Sequence, residues 1–185
     1  MIIFKVNSVS YKVFDCCILF IYCNFYISIY YLDMEKSMLN TQQPYVYLTR
    51  SEFVSCSHRL HSSLLSEEEN LKIYGKCNNK NGHGHNYKIK VTLYGPIKEE
   101  TGMVMNLTTL RDYMKVCVVD ALDHKNLDMD VPWFKNKVST AENLVVFIWN
   151  SLKLVMDEPQ LLYEVKVQET DKNVAFYRGG NSYLN

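Results

Sequence analysis

The sequence predicts an α+β domain: an antiparallel sheet of four strands with two helices packed on one face. Three observations carry that expectation. Residues 87–94 (YKIKVTLY) place Ile89, Val91 and Leu93 on one side and Lys88, Lys90 and Thr92 on the other, the pattern of a strand buried on one face. Two later segments carry apolar residues at helical spacing, each behind a capping residue. The elements run strand, strand, helix, helix, strand, strand, an order that closes as one antiparallel sheet with its helices on one side.

The elements follow in order. Residues 45–56 (YVYLTRSEFVSC) mix aromatic and β-branched side chains in loose alternation and read as the first strand. Ser66 with Glu67, Glu68 and Glu69 makes a capped, acidic start to a short helix. Residues 76–86 (KCNNKNGHGHN) are rich in Gly and Asn and read as a loop leading into the second strand. Asn106 caps a helix to about residue 122, whose apolar face is Leu107, Leu110, Met114, Cys117, Val118 and Ala121. Cys117 on that face reads as core. A loop with Pro132 follows, and then Ser139 and Glu142 form a capping box, S-x-x-E, opening a second helix to about residue 156. After Pro159, residues 162–169 and 174–177 are short strands around the turn 170–173.

At 185 residues the chain is long enough for one domain with its own core. Lys plus Arg (20) balances Asp plus Glu (20), so no basic field exists to attract nucleic acid. The six cysteines, Cys16, Cys17, Cys23, Cys56, Cys77 and Cys117, show no disulfide-framework spacing and point to a reducing, cytoplasmic setting. Residues 1–33 differ from the rest. Their run 16–32 (CCILFIYCNFYISIYYL) is almost wholly apolar and sits at the lower length limit of a membrane span. It lacks the small-residue cleavage site of a signal peptide, and Met34 opens ordinary soluble sequence. The expected division is an apolar extension, 1–33, arising from an alternative or misassigned start, and a single domain, 34–185. A membrane anchor is the competing reading of the extension.

His83-Gly84-His85 precedes a strand, and residues two apart in extended chain point the same way, so both imidazoles can reach one ion. His58, at the end of the first strand, is a third ligand, and three histidines leave the open position of a catalytic zinc. On spacing alone a solvated His pair in a glycine loop reads equally well. Cys77 near such a site can serve as a base, or be an inert loop cysteine. Asp123-His124 fits a carboxylate–imidazole relay or plain helix-end charges. Glu169 near a strand end can accept two parallel hydrogen bonds from an amino-pyrimidinone edge, or be a surface carboxylate. Glu142 is already accounted for by the capping box.

Read together, the stretches 57–60 (SHRL), 75–87 (GKCNNKNGHGHNY), 101–107 (TGMVMNL), 123–128 (DHKNLD), 139–143 (STAEN) and 169–171 (ETD) resemble the 6-pyruvoyltetrahydropterin synthase family in its animal-type form. The resemblance runs from about residue 46 to 179. It implies the tunnelling fold, with trimers closing a barrel and two trimers stacked as a homohexamer. It implies a carbon–oxygen lyase of tetrahydrobiopterin biosynthesis, converting 7,8-dihydroneopterin triphosphate to 6-pyruvoyltetrahydropterin with release of triphosphate. One zinc per subunit would sit on His58, His83 and His85. Proton transfer would fall to Cys77, Asp123 and His124. Glu169, with Thr140 and Glu142, would bind the pterin, and the site would lie between subunits. Nucleic acid and membrane are not among the implied partners. Ala141 departs from the family, whose members often carry a second threonine there. A 6-carboxytetrahydropterin synthase is the alternative, but that group typically keeps three residues between its cysteine and H-x-H, where five separate Cys77 from His83. A noncatalytic zinc-bearing pterin binder is the other alternative, and Cys77, Asp123 and His124 speak against it.

Overall fold

The computed structural model describes residues 3–6, 9–12, 26–32, 34 and 43–180. The chain divides into two compact units, Met1–Pro44 and Tyr45–Asn185. In the first, β1 (Ile3–Val6) pairs antiparallel with β2 (Val9–Lys12), and residues 26–32 are helical. The greater part of the apolar run 16–32 lies outside the described residues. Among the described residues, no helix is long and apolar enough to cross a membrane.

The second unit is built on two 14-residue strands, β3 (Tyr45–His58) and β4 (His83–Pro96). They pair antiparallel without interruption, from Tyr45 opposite Pro96 to His58 opposite His83. On the far side of β4 lie β6 (Leu162–Gln168) and then β7 (Val174–Tyr177). These four strands are antiparallel, as the sequence predicts. A fifth, β5 (Lys125–Asn126), adds two residues parallel to β3 at Cys56 and Ser57. Two residues carry no periodicity, so no sequence pattern announces this strand.

Alternation along the strands sets the core. Val54, Cys56, Tyr87, Ile89, Val91, Leu93, Val165 and Val167 are buried on one face of the sheet. They meet α2 (Leu107–Met114) and α5 (Ala141–Val155), which contribute Leu110, Met114, Leu144, Val145, Ile148 and Leu152. Between them, α2 continues through a π turn (Lys115–Val119) into α3 (Asp120–Leu122). Cys117 and Val118 of the π turn are buried, while Leu107, in the first turn of α2, remains exposed despite its apolar spacing. On the strands' other face Tyr47, Phe53, Tyr94 and Phe176 are exposed. The short α1 (Glu67–Tyr74) has the expected cap: the Ser66 hydroxyl accepts from the Glu69 N–H and Glu69 returns to the Ser66 N–H.

Two expectations need correction, and both bear on the site. The stretch 76–86 is only partly loop: a 3-10 turn covers Gly75–Asn78, and β4 begins at His83, so His83 and His85 sit inside a strand. The capping box at Ser139 and Glu142 does not form. Thr140 is the N-cap of α5, its hydroxyl accepting from the Asn143 N–H at 3.3 Å. Ser139 is fully buried and bonds to His58 and Asp128 instead. An N-cap is worth about 1 kcal/mol, whereas leaving a buried donor and a carboxylate unpaired costs about 1–3 kcal/mol each. The buried bonds therefore win.

Gly82 lets the two histidine-bearing strand ends meet. Its φ is +68°, and a Cβ there would lie 2.7 Å from the His58 carbonyl oxygen. Gly82→Ala should therefore destabilise the chain by about 2–3 kcal/mol. The measurement is the urea unfolding midpoint, and an unchanged midpoint would show that the turn relaxes freely.

Candidate active site

His58 is the last residue of β3 and His83, its cross-strand partner, the first of β4; His85 lies two residues on and faces the same side. One ring nitrogen from each falls within 4.8 Å of the other two. The Nε2 atoms of His58 and His83 are 3.2 Å apart. His58 is 1% exposed, and its Nδ1 donates to the Ser139 carbonyl at 2.7 Å, leaving an Nε2 lone pair aimed at His83. Burial pushes the His83 and His85 imidazoles below their ordinary pKa, and neighbouring His58 adds to the effect. Both are held in the neutral form that binds metal.

This arrangement fits a metal ion. A tetrahedral ion about 2.0–2.1 Å from each nitrogen sets N···N edges of about 3.3 Å, close to the 3.2 Å between His58 and His83. Among the described residues no fourth acidic or thiol ligand joins the three histidines, which is the donor set of an open rather than a closed site. His83 Nδ1 is buried and has no hydrogen-bond partner among the described residues.

Glu169 follows β6, and its backbone N–H donates to the Asn173 carbonyl, closing the hairpin to β7. Its Oε1 lies 3.8 Å from His85 Nε2 and accepts from the Tyr87 hydroxyl at 3.4 Å. Tyr87 has no exposed surface and stands edge-on to the His85 ring, with centroids 5.5 Å apart. Burial, first, and then the Glu169 charge push its phenol far above the ordinary range, so it remains a donor. No sequence motif assigns Tyr87 a role at the site. Its parity with His85 was the available signal, since a residue two further along a strand shares the same face.

Cys77 lies half-buried in the 3-10 turn, where its carbonyl accepts from the Leu60 N–H at 3.0 Å. Asp123 and His124 do form a pair: His124 Nδ1 donates to Asp123 Oδ2 at 2.7 Å. The other oxygen, Oδ1, accepts from the Ser55 N–H at 2.8 Å. That bond, followed by the one from His124, holds the Asp123 carboxyl below its usual pKa. The His124 N–H donates to the Ser55 carbonyl, and its φ of +59° is the left-handed backbone that residues other than glycine rarely adopt. Its side chain is 85% exposed, at a cavity of about 370 Å³ shared with Ser55, Gly84, His85, Asn86 and Lys125. Thr140 is half-buried as the cap of α5, and Glu142 is exposed. Among the described residues, no hydrogen bond, ion pair or ring contact joins Cys77, Asp123 or His124 to the three histidines. The structure thus brings together His58, His83, His85 and Glu169, and pairs Asp123 with His124 at a cavity that His85 also lines.

The model of the family described as 6-pyruvoyl tetrahydropterin synthase matches residues 47–180, a span that holds every residue above. The chain belongs to that family. It is accordingly an enzyme, a lyase. A 6-pyruvoyl tetrahydrobiopterin synthase of Homo sapiens is 58% identical over 125 residues, 68% of this chain and 86% of that protein. One from Drosophila melanogaster is 53% identical over 139 residues, 75% of this chain and 83% of that protein. The solved 6-pyruvoyl tetrahydropterin synthase of Caenorhabditis elegans superposes with a TM-score of 0.73 at 46% identity, covering 75% of this chain and 99% of its own. The antiparallel sheet with helices on one face is thus the fold of this synthase family.

Replacing His83 or His85 with Ala should abolish stoichiometric metal binding while leaving the domain folded, because a core of this size does not depend on a metal. Elemental analysis after dialysis against zinc checks it. A full metal complement in both variants would overturn the ligand assignment.

Proposed function

We propose that this chain converts 7,8-dihydroneopterin triphosphate to 6-pyruvoyl tetrahydropterin with release of triphosphate, a step of tetrahydrobiopterin biosynthesis, using one zinc ion per subunit. The observation that carries this reading is the convergence of three histidines on one point, with the Glu169 carboxylate 3.8 Å from His85. Elimination of triphosphate is redox-neutral, and oxidation of one side-chain carbinol offsets reduction of the ring. No external oxidant is needed. Bound zinc supplies Lewis acidity toward the side-chain oxygens of the substrate.

The chain's own residues do the rest. Glu169 offers two carboxylate oxygens to the adjacent N–H donors of the pterin, a charge-assisted pair that fixes the ring. Thr140 and Glu142, at the start of α5, extend the substrate contacts. Cys77 takes and returns a proton at the side-chain carbons. Asp123 stays ionised and holds the Nδ1–H of His124, which frees Nε2 of that exposed ring for proton transfer. The exposure of His124, and the absence among the described residues of a hydrogen bond or ion pair from it to the three histidines, support a site completed by a neighbouring subunit of a homohexamer. Among the described residues Cys56, Cys77 and Cys117 are free thiols, which supports a reducing, cytoplasmic setting. The division between Pro44 and Tyr45 and the family match from residue 47 support residues 1–33 being a dispensable extension of a domain spanning 34–185.

Cys77→Ala should retain zinc and pterin while product formation slows about 10²–10⁴-fold. Glu169→Gln, which sets an amide donor against a donor, should weaken pterin binding by about 2–4 kcal/mol. Near-normal turnover by the first, or wild-type binding by the second, would remove that residue from the mechanism. A chain beginning at Met34 should be hexameric and fully active, as sizing chromatography and turnover would report. Partition of the full-length chain into cell membranes would favour an anchor instead.

A further inference from the structure

Asp128 has no part in the chemistry above, yet its carboxylate reaches both sides of the site. It lies in α4 (Leu127–Asp130), a four-residue helix capped by Asn126, whose side chain accepts from the Asp128 and Met129 N–H groups. A carboxylate serving that helix would turn back to its backbone. Both oxygens of Asp128 instead point to other segments. Oδ1 accepts from the Ser139 hydroxyl at 2.5 Å, and Oδ2 accepts from the Arg59 N–H at 2.6 Å.

Each bond leads onward. Because the Ser139 hydroxyl gives its proton to Asp128, it turns a lone pair toward His58 Nδ1, 3.4 Å away. The Ser139 carbonyl, at 2.7 Å, faces the same nitrogen. Two acceptors thus fix the proton on Nδ1 and leave Nε2 bare. On the other side, Arg59 has its N–H held by Asp128 and donates from Nε to the Asn78 carbonyl at 2.9 Å. The next residue, Leu60, donates its N–H to the Cys77 carbonyl at 3.0 Å. Two consecutive carbonyls of the turn that carries Cys77 therefore hang from the segment that Asp128 holds.

We infer that Asp128 is a positioning residue, setting the tautomer of His58 through Ser139 and the placement of the Cys77 turn through Arg59 and Leu60. This rests on the proposed activity for its Cys77 arm, whereas the His58 arm is read by metal binding alone. In the full-length chain, Asp128→Asn keeps the size of the side chain but turns an amide donor toward a donor. With folding retained by circular dichroism, zinc affinity in a chelator competition should fall about 10–100-fold, the usual effect of losing an outer partner of a ligand. At saturating zinc, kcat for 7,8-dihydroneopterin triphosphate should fall about 10–100-fold with KM little changed. In a Cys77→Ala background the same substitution should lower the residual rate less than threefold. A merely structural role would lower both backgrounds equally. Ser139→Ala, which cuts only the His58 arm, repeats the zinc measurement should Asp128→Asn fail to fold. Wild-type zinc affinity in these variants overturns the His58 arm, and an undiminished kcat loss without Cys77 overturns the other. A wild-type chain that binds zinc but does not turn over the pterin triphosphate sinks the proposed activity and leaves the His58 arm intact.

Discussion

The register of β3 against β4 is the constraint on which everything else depends. Fourteen residue pairs run from Tyr45–Pro96 to His58–His83, so the histidine pair terminates a ladder whose middle is set by Ile89, Val91 and Leu93 in the core. Because side chains alternate across a strand, a slip of one residue would turn this apolar set to solvent. It would carry His83 and His85 to the opposite face as well. The hydrophobic core and the histidine cluster are thus enforced by the same pairing.

Electrostatics divide the site by burial. Near the core, desolvation holds His83 and His85 neutral and Tyr87 protonated, a set of uncharged donors and lone pairs suited to a cation and a carboxylate. At the surface, Asp123 keeps its charge because two donors face it. The exposed His124 is therefore backed by a carboxylate, while the Glu169 carboxylate lies 3.8 Å from His85 in the histidine cluster. The Asp123–His124 pair thus lies toward solvent and the histidine cluster toward the core.

The site was legible in the sequence to different depths. His83 and His85 announce themselves because two residues apart on a strand means one face. The pairing of Asp123 with His124 is local and could be read directly. Ser139 misled: S-x-x-E is a capping pattern, yet its hydroxyl is taken by Asp128, eleven residues earlier, and its carbonyl by His58, eighty-one residues earlier. Glu142 was explained by a box that does not form. Tyr87 was missed because an aromatic inside a strand pattern reads as core, which it is, and only its hydroxyl reaches Glu169.

By itself, the sequence determined the four antiparallel strands, the two packed helices, the core face and the family, since each is written in local periodicity or in contiguous motifs. Tertiary structure alone decided the tautomer of His58, the left-handed turn at His124, the two-residue strand β5 and the bridging role of Asp128. The physical reason is common to all four. Each depends on a hydrogen bond between segments far apart in the chain, and local propensity differences of about 1 kcal/mol yield to the cost of leaving a buried polar group unpaired.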